Sequence, residues 1–186
     1  MPIEEKIVRC AAPTLLGLKV ANLINLDRKI SDEKAISYCR AVLSQAGLCL
    51  HILSEGPQRR LVLLYRSSAL QKLLDEKQVQ DFLSQYGYDD FFLPSCLDRL
   101  TKHCSFQGNA NDYFPHEIGL FLGYPLADVR GYIANRGKGA KLTGYWKVYD
   151  DVASAAHVFS EFKRSSRNLT ERYCAGASLM ELSVAG

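Results

Sequence analysis

Long apolar runs are missing from this sequence. No uncharged stretch reaches the ~18 residues that a membrane-spanning helix needs. The first residues, MPIEEKIVRC, also lack the basic-then-apolar order of a secretory signal, because Glu4 and Glu5 precede any apolar run. We therefore expect a cytoplasmic protein with no membrane partner.

Closely spaced cysteine pairs are missing as well. The chain has no C-x-x-C, and most of its cysteines fall inside apolar periodic segments, which favours reduced and buried thiols. Cys96, His103 and Cys104 are close in sequence, but a C-x6-H-C spacing matches no standard zinc pattern. We predict no metal site, and the sequence identifies no cofactor. The six cysteines are Cys10, Cys39, Cys49, Cys96, Cys104 and Cys174.

A strong excess of charge of either sign is also absent. The net charge is +3 and the pI is about 8.5, far from the basic balance of proteins whose binding is dominated by phosphate contacts. A nucleic-acid partner is therefore not expected from the charge. With 186 residues, of which 47% are hydrophobic, the chain can bury a core of its own. We predict a single domain over 1–186 and leave the oligomeric state open.

Hydrophobic periodicity predicts an α+β fold. Residues 3–24 have helical periodicity with a break at Pro13. The runs LCLHILS and RLVLLYR, joined by a polar loop with Gly56 and Pro57, predict a β-hairpin over 48–66 that is covered on both faces. QGNAND at 107–112 predicts a loop, and LTGYWKVY at 142–149 predicts a third strand. The result is a mainly helical single domain around a small three-stranded sheet.

The segment from 115 to 149 concentrates the residues that could carry chemistry. His116 and Glu117 follow Pro115 at a predicted helix start, where free backbone N–H groups favour anions and lower the pKa of a nearby histidine. A neutral imidazole beside a carboxylate can act as a base. Ordinary helix-start chemistry explains the same residues, with His116 closing the preceding loop.

Glycines and charges follow in the same segment. Glycine inside a helix costs about 1 kcal/mol relative to alanine, so Gly119, Gly123 and Gly131 indicate that a neighbouring helix or a ligand approaches the backbone closely. Asp128 lies in the first turn of a predicted helix, where it complements the helix dipole. Arg130 begins a basic stretch that includes the loop RGKGAK, which is a weak phosphate signal.

The predicted third strand carries an aromatic and basic face. Alternation along a strand sends Tyr145, Lys147 and Tyr149 to one side and Trp146 and Val148 to the other. Such a face suits a planar or anionic ligand. A half-buried strand whose lysine reaches to solvent explains the pattern equally well.

Three motifs resemble a known family. They are CAAPTLLGLK at 10–19 followed by Asn22, PHEIGLFLGYP at 115–125 followed by Asp128-Val-Arg-Gly131, and GYWKVY at 144–149. They are similar to a bacterial family catalogued only as a domain of unknown function and met mainly in anaerobes. The family pattern has cysteines before the third motif, where this chain has Lys141-Leu-Thr143, and one alanine after the first cysteine, where this chain has two. The resemblance implies a single intact domain and the location of a site, and no known reaction.

We therefore interpret the chain as an accessory protein that binds a small anionic or cofactor-like molecule between His116, Asp128 and Lys147. Two alternatives stay open: an enzyme that uses His116 or Glu117 for proton transfer and Lys147 to stabilise negative charge, and a winged helix-turn-helix DNA-binding protein over 115–149. A structural or protein-interaction role is a further possibility. The predicted ligand-binding residues are Cys10, Lys19, Asn22, Asp128, Arg130, Tyr145 and Tyr149.

Overall fold

The computed structural model describes residues 1–105 and 114–184; the predicted loop at 107–112 lies outside them. The elements, in chain order, are α1 (Ile3–Leu15), β1 (Ala21–Asp27), α2 (Glu33–Ser44), β2 (Leu48–Glu55), β3 (Arg59–Arg66), α3 (Ser67–Leu74), α4 (Lys77–Leu83), a 3-10 turn (Ser84–Tyr86), α5 (Leu93–Ser105), α6 (Ile118–Phe121), α7 (Leu126–Ala134), β4 (Leu142–Thr143), β5 (Lys147–Val148), α8 (Val152–Cys174) and α9 (Leu179–Val184). None of these helices is both long and apolar enough to cross a membrane.

The three-stranded sheet is antiparallel, with β3 in the centre and β1 and β2 at its edges. The α+β class and the hairpin of β2 and β3 are confirmed. The identity of the third strand was wrong, because β1 occupies that place and 142–149 does not join the sheet. Residues 142–149 instead form the two-residue strands β4 and β5, which pair only with each other.

The helix predicted over 3–24 ends at Leu15, where a side chain from β3 hydrogen-bonds to the carbonyl groups of its last turn. Gly17 follows the helix at a φ of +74°, a left-handed conformation that side chains disfavour. The guanidinium of Arg66 donates to the carbonyls of Thr14 and Leu15, at 2.9 and 2.6 Å, and the Gly17 N–H also donates to the Thr14 carbonyl at 3.1 Å. The chain beyond this cap is free to extend, and it pairs with β3 as β1.

Two hydrophobic cores lie on opposite faces of the sheet. The side chains of β3 alternate between the two cores: Val62 and Leu64 pack in the first core, and Leu63 and Tyr65 pack in the second. The first core is closed by α1, α2, α8 and α9, and the second by α3, α4, α5, α6 and α7. Coverage of both faces explains why the hairpin strands are almost continuously apolar.

Candidate functional site

The segment from α6 to β5 packs against the second core through its glycines. A Cβ on Gly119 would lie 3.0 Å from a methyl group of Val129, and one on Gly131 would lie 2.6 Å from the Cβ of Tyr149. Gly123 follows α6 and has a φ of +75°. A Cβ on Gly123 would lie 3.2 Å from the side chain of Val20. The predicted close approach is therefore made by neighbouring side chains of the protein itself.

A buried carboxylate joins α7 to the β4–β5 hairpin. Asp128, which is 3% exposed, accepts hydrogen bonds on Oδ1 from the backbone N–H groups of Tyr149 at 2.7 Å and Asp150 at 3.1 Å. Its Oδ2 accepts the indole N–H of Trp146 at 2.7 Å. The carboxylate does lie in the first turn of a helix, as predicted, but its donors come from the hairpin. Asp128 therefore holds the hairpin in place.

A column of aromatic rings stands beside this carboxylate. Tyr124 stacks on Trp146 with ring centroids 5.3 Å apart, and Trp146 meets the edge of Phe159 at 4.5 Å. The ammonium of Lys19 lies 5.0 Å from the centroid of Tyr124. The Tyr124 hydroxyl also donates to the backbone carbonyl of Tyr145 at 3.1 Å. These contacts make Tyr124 and Trp146 a rigid partition.

The first cavity at this partition, which we call the histidine cavity, has a volume of about 360 Å³. The ring of His116 meets Tyr132 at 5.1 Å. The Lys147 ammonium donates to the Gly137 carbonyl at 2.6 Å and lies 5.7 Å from the Tyr132 ring. His116, Asp128 and Lys147, predicted to share a site, all line this one cavity. Its lining residues are Phe114, His116, Ile118, Gly119, Leu122, Tyr124, Asp128, Val129, Tyr132, Thr143, Gly144, Trp146 and Lys147.

A second cavity of about 450 Å³ lies against α8, and we call it the lysine cavity. Lys19 lines it and is only 7% exposed. Burial lowers the pKa of the Lys19 ammonium to about 7. The two cavities share Asp128 and Trp146. The lining residues are Leu18, Lys19, Val20, Gly123, Pro125, Asp128, Trp146, Asp150, Asp151, Ser154, Ala155, Val158 and Phe162.

Comparison with known proteins adds a family and no reaction. A family model described as a protein of unknown function, DUF3793, matches residues 7–183. The chain belongs to the DUF3793 family. No curated protein and no solved structure matches it.

Glu117 does not share the cavity of its neighbour in this DUF3793 chain. The carboxylate is 3% exposed and faces α5, where its Oε1 lies 2.7 Å from Nδ1 of His103. Tyr88 Oη is 3.5 Å from the same oxygen. Burial, and then the charge of Glu117, raise the pKa of the Tyr88 hydroxyl. His116 and Glu117 therefore face different neighbours, and of the two His116 lines the histidine cavity; proton transfer by either residue stays a prediction.

Cys10, Asn22 and Arg130 line neither cavity. Cys10 packs against the first core. The Asn22 side-chain carbonyl accepts the hydroxyl of Thr14 at 2.7 Å inside the protein. Arg130 is exposed, and its guanidinium lies 5.7 Å from the ring of Phe82. The structure therefore does not bring these three residues to the predicted ligand.

The aromatic face of the predicted strand is also rearranged. Tyr145 packs against Phe159 and Phe162 outside both cavities, and Tyr149 covers Gly131. Trp146, assigned by alternation to the opposite face from Lys147, lines the histidine cavity together with it. Strand alternation fails here because β5 has only two residues. The signal that could have identified Trp146 is its status as the only tryptophan, next to a lysine in a motif.

The described residues do not form a metal-binding cluster. Residues 1–105 and 114–184 contain no cluster of three or more His, Cys, Asp or Glu side chains arranged to hold an ion. The six thiols are free: two are buried, three are partly buried, and Cys174 at the end of α8 is exposed. The exposure of Cys174 differs from the prediction of buried thiols.

Proposed function

We propose that this protein is an accessory protein that binds a small anionic molecule with a flat, apolar or aromatic part in the histidine cavity. The observation that carries the proposal is the presence of His116 and Lys147 on the wall of one cavity whose other walls are mostly apolar and aromatic. Small-molecule sites commonly combine such walls with a few convergent polar groups. The volume of about 360 Å³ is also within the range of such sites.

The charges in the cavity favour an anion. A lysine ammonium has three N–H donors, and one of those of Lys147 is taken by the Gly137 carbonyl. The nearest carboxylate, Asp128, is already bonded to three donors of the protein. Its negative charge is therefore compensated locally, and Lys147 keeps its charge for a ligand.

The aromatic walls favour a flat molecule. Tyr124 and Trp146 are held in a stack, and Tyr132 is held against His116. Rings fixed in this way lose little conformational freedom when a planar ligand packs on them. An anionic group near Lys147 and a flat body along the rings would use both parts of the wall.

Binding is favoured over acid-base catalysis because Glu117 is absent from the cavity wall. A catalytic role in this cavity would rest on His116 without Glu117. Replacing His116 with Gln separates the two functions. We expect ligand affinity to fall by less than about threefold, whereas loss of a general base lowers a rate by about 100-fold or more.

The binding test uses the single tryptophan as a reporter. Trp146 lines the cavity, so its fluorescence, excited selectively, reports occupancy. The probes are anilinonaphthalene sulfonate, a flat anion, and the neutral N-phenylnaphthylamine. We expect the anion to quench Trp146 and to bind more tightly than the neutral probe.

A matched pair of variants identifies the anion contact. Lys147→Gln keeps a donor for the Gly137 carbonyl and removes the charge, and should weaken binding of the anionic probe by about tenfold, which corresponds to about 1.4 kcal/mol. Lys138→Gln removes the charge of an exposed lysine next to Gly137 and should leave the affinity for the anionic probe unchanged. Equal effects of the two variants, or equal affinity for the two probes, would contradict the proposal. Native mass spectrometry of the full chain from its natural source would identify a retained molecule.

A further inference from the structure

Lys19 is held in a fixed position between α1 and β1. The backbone N–H groups of Leu18 and Lys19 both donate to the carbonyl of Pro13, at 2.8 and 3.1 Å. The next carbonyl, of Val20, accepts the N–H of Arg66 at 3.0 Å. The backbone at Lys19 is therefore fixed by the fold, and the residue that it carries is 7% exposed.

The amine of Lys19 has no polar partner in the described parts of the chain. Its recorded contact is with the ring of Tyr124, and no hydrogen bond or carboxylate accompanies it in residues 1–105 and 114–184. Lysine is almost never fully buried unless it is paired, and it normally extends its charged end to water. A lysine that is 7% exposed as a residue and whose unpaired amine lines a cavity is therefore an exceptional group.

Burial makes this amine a nucleophile near neutral pH. Its pKa is lowered to about 7, so about half of the Lys19 amine is neutral at pH 7. An ordinary lysine, with a pKa near 10.4, is neutral in only about one molecule in 2,500 at that pH. The neutral form is the one that attacks carbonyl carbon.

The acidic lining of the cavity determines which ligand it suits. Asp128, Asp150 and Asp151 line it together with Lys19. Asp151 caps α8 by accepting the N–H of Ser154 at 3.0 Å, and Asp128 holds the hairpin. With Asp128 and Asp151 bonded to donors of the protein, the exposed Asp150 is the carboxylate that opposes an anionic ligand at this cavity. The lysine cavity thus differs in charge from the histidine cavity.

We propose that Lys19 is a reactive amine that captures a small aldehyde or ketone as an imine in the lysine cavity. The lone pair of the neutral amine forms a bond to the carbonyl carbon, and the resulting carbinolamine loses water. A carbon–nitrogen double bond replaces the carbon–oxygen bond, the oxygen leaves as water with the two amine protons, and no oxidant is needed. Protonation from solvent gives a cationic iminium. The apolar walls of Trp146 and Phe162 suit a carbonyl compound with an apolar body.

The test traps the imine on the full chain. The protein is treated at pH 7 with benzaldehyde and cyanoborohydride, and the labelled sites are located by peptide mass spectrometry. We expect Lys19 to be labelled at least tenfold faster than the exposed Lys138. The α-amine of Met1 is an internal reference, because exposed α-amines also have a pKa near 8. Labelling of Met1 without Lys19, or equal labelling of Lys19 and Lys138, would overturn the proposal.

Two variants separate this proposal from anion binding. Lys19→Arg keeps a cation but cannot form an imine, so the label at residue 19 is lost while the anionic probe still binds. Lys147→Gln has the opposite pattern, with weakened probe binding and unchanged labelling of Lys19.

Discussion

Lys19 lies in the lysine cavity against the ring of Tyr124, and Lys147 lines the histidine cavity with Tyr124 and Trp146; the two lysines differ above all in the partner of the amine. Lys147 donates to a backbone carbonyl at 2.6 Å, whereas Lys19 has only an aromatic ring at 5.0 Å. An ammonium that keeps a polar acceptor remains a stable charge, and one that loses water without gaining an acceptor favours its neutral form. The same side chain therefore acts as a charge in one cavity and as an amine in the other.

The largest expected effect comes from Asp128, which forms part of both walls. Asp128→Ala leaves the indole N–H of Trp146 and two backbone N–H groups without their acceptor. Unsatisfied buried donors cost about 1–3 kcal/mol each, so we expect the free energy of unfolding to fall by about 3–5 kcal/mol in a urea titration.

The exposed Asp89 provides the control for this variant. Its carboxylate is 87% exposed and 3.5 Å from Arg99, and such surface pairs contribute less than about 1 kcal/mol. Asp89→Ala should therefore leave the free energy of unfolding almost unchanged. If Asp128→Ala also left the free energy of unfolding unchanged, Asp128 would not be the residue that holds the walls of both cavities in place. The two lysines could then not be compared as neighbours of one common structure.

An intermediate effect of opposite sign is expected at Lys19. Lys19→Met keeps a long unbranched side chain and removes the unpaired buried amine. We expect the variant to be more stable than the original protein by about 2 kcal/mol at pH 7. Chemical denaturation of both proteins measures this difference, and a destabilised variant would show that Lys19 has a stabilising partner.

The dependence of this difference on pH sharpens the test. The pKa of Lys19 is about 7 in the folded protein and about 10.4 in the unfolded chain. Between these values the unfolded chain binds more protons, so the stability of the original protein rises with pH. The advantage of Lys19→Met should be constant below pH 7 and should disappear as pH rises toward 10. Asp128, Asp150, Asp151 and the Tyr124 ring surround the cavity in both proteins, so their titration affects both.

The smallest effect is expected at Lys147. Lys147→Met loses one hydrogen bond from a partly buried ammonium to the Gly137 carbonyl, and the free energy of unfolding should fall by about 1 kcal/mol. Lys138→Met, at an exposed position, serves as the matched change. Stabilisation of the protein by Lys147→Met would mean that the ammonium of Lys147 lowers the free energy of unfolding, as that of Lys19 is expected to do. The two lysines would then not differ in their effect on stability.

The sequence was sufficient to predict the fold class but not the third strand. An apolar segment next to a helix is compatible with helix or strand, and the periodicity of ANLINLD at 21–27 does not separate the two. The strand was instead expected at 142–149, where aromatic residues alternate. That segment is prevented from joining the sheet because Gly144 packs against Phe159, with a Cβ there only 2.3 Å from the ring, and Asp128 holds the hairpin against α7.

The site was predicted in part for the same kind of reason. His116, Asp128 and Lys147 were expected together and do line one cavity. Glu117 was expected with them and is directed to His103, because the direction of a side chain just before a one-turn helix depends on the tertiary packing around it. The catalytic or binding role of these residues stays a prediction for the experiments above.

By itself the sequence determined which residues could carry chemistry and that two apolar strands would be covered on both faces, since these properties depend on local composition and periodicity. Only the tertiary structure decided that Lys19, about 100 residues away from Tyr124 along the chain, would lie against its ring without an acceptor, while Lys147 would find one. Burial and pairing are properties of the packed neighbourhood. They change the chemistry of an amine without changing a single residue.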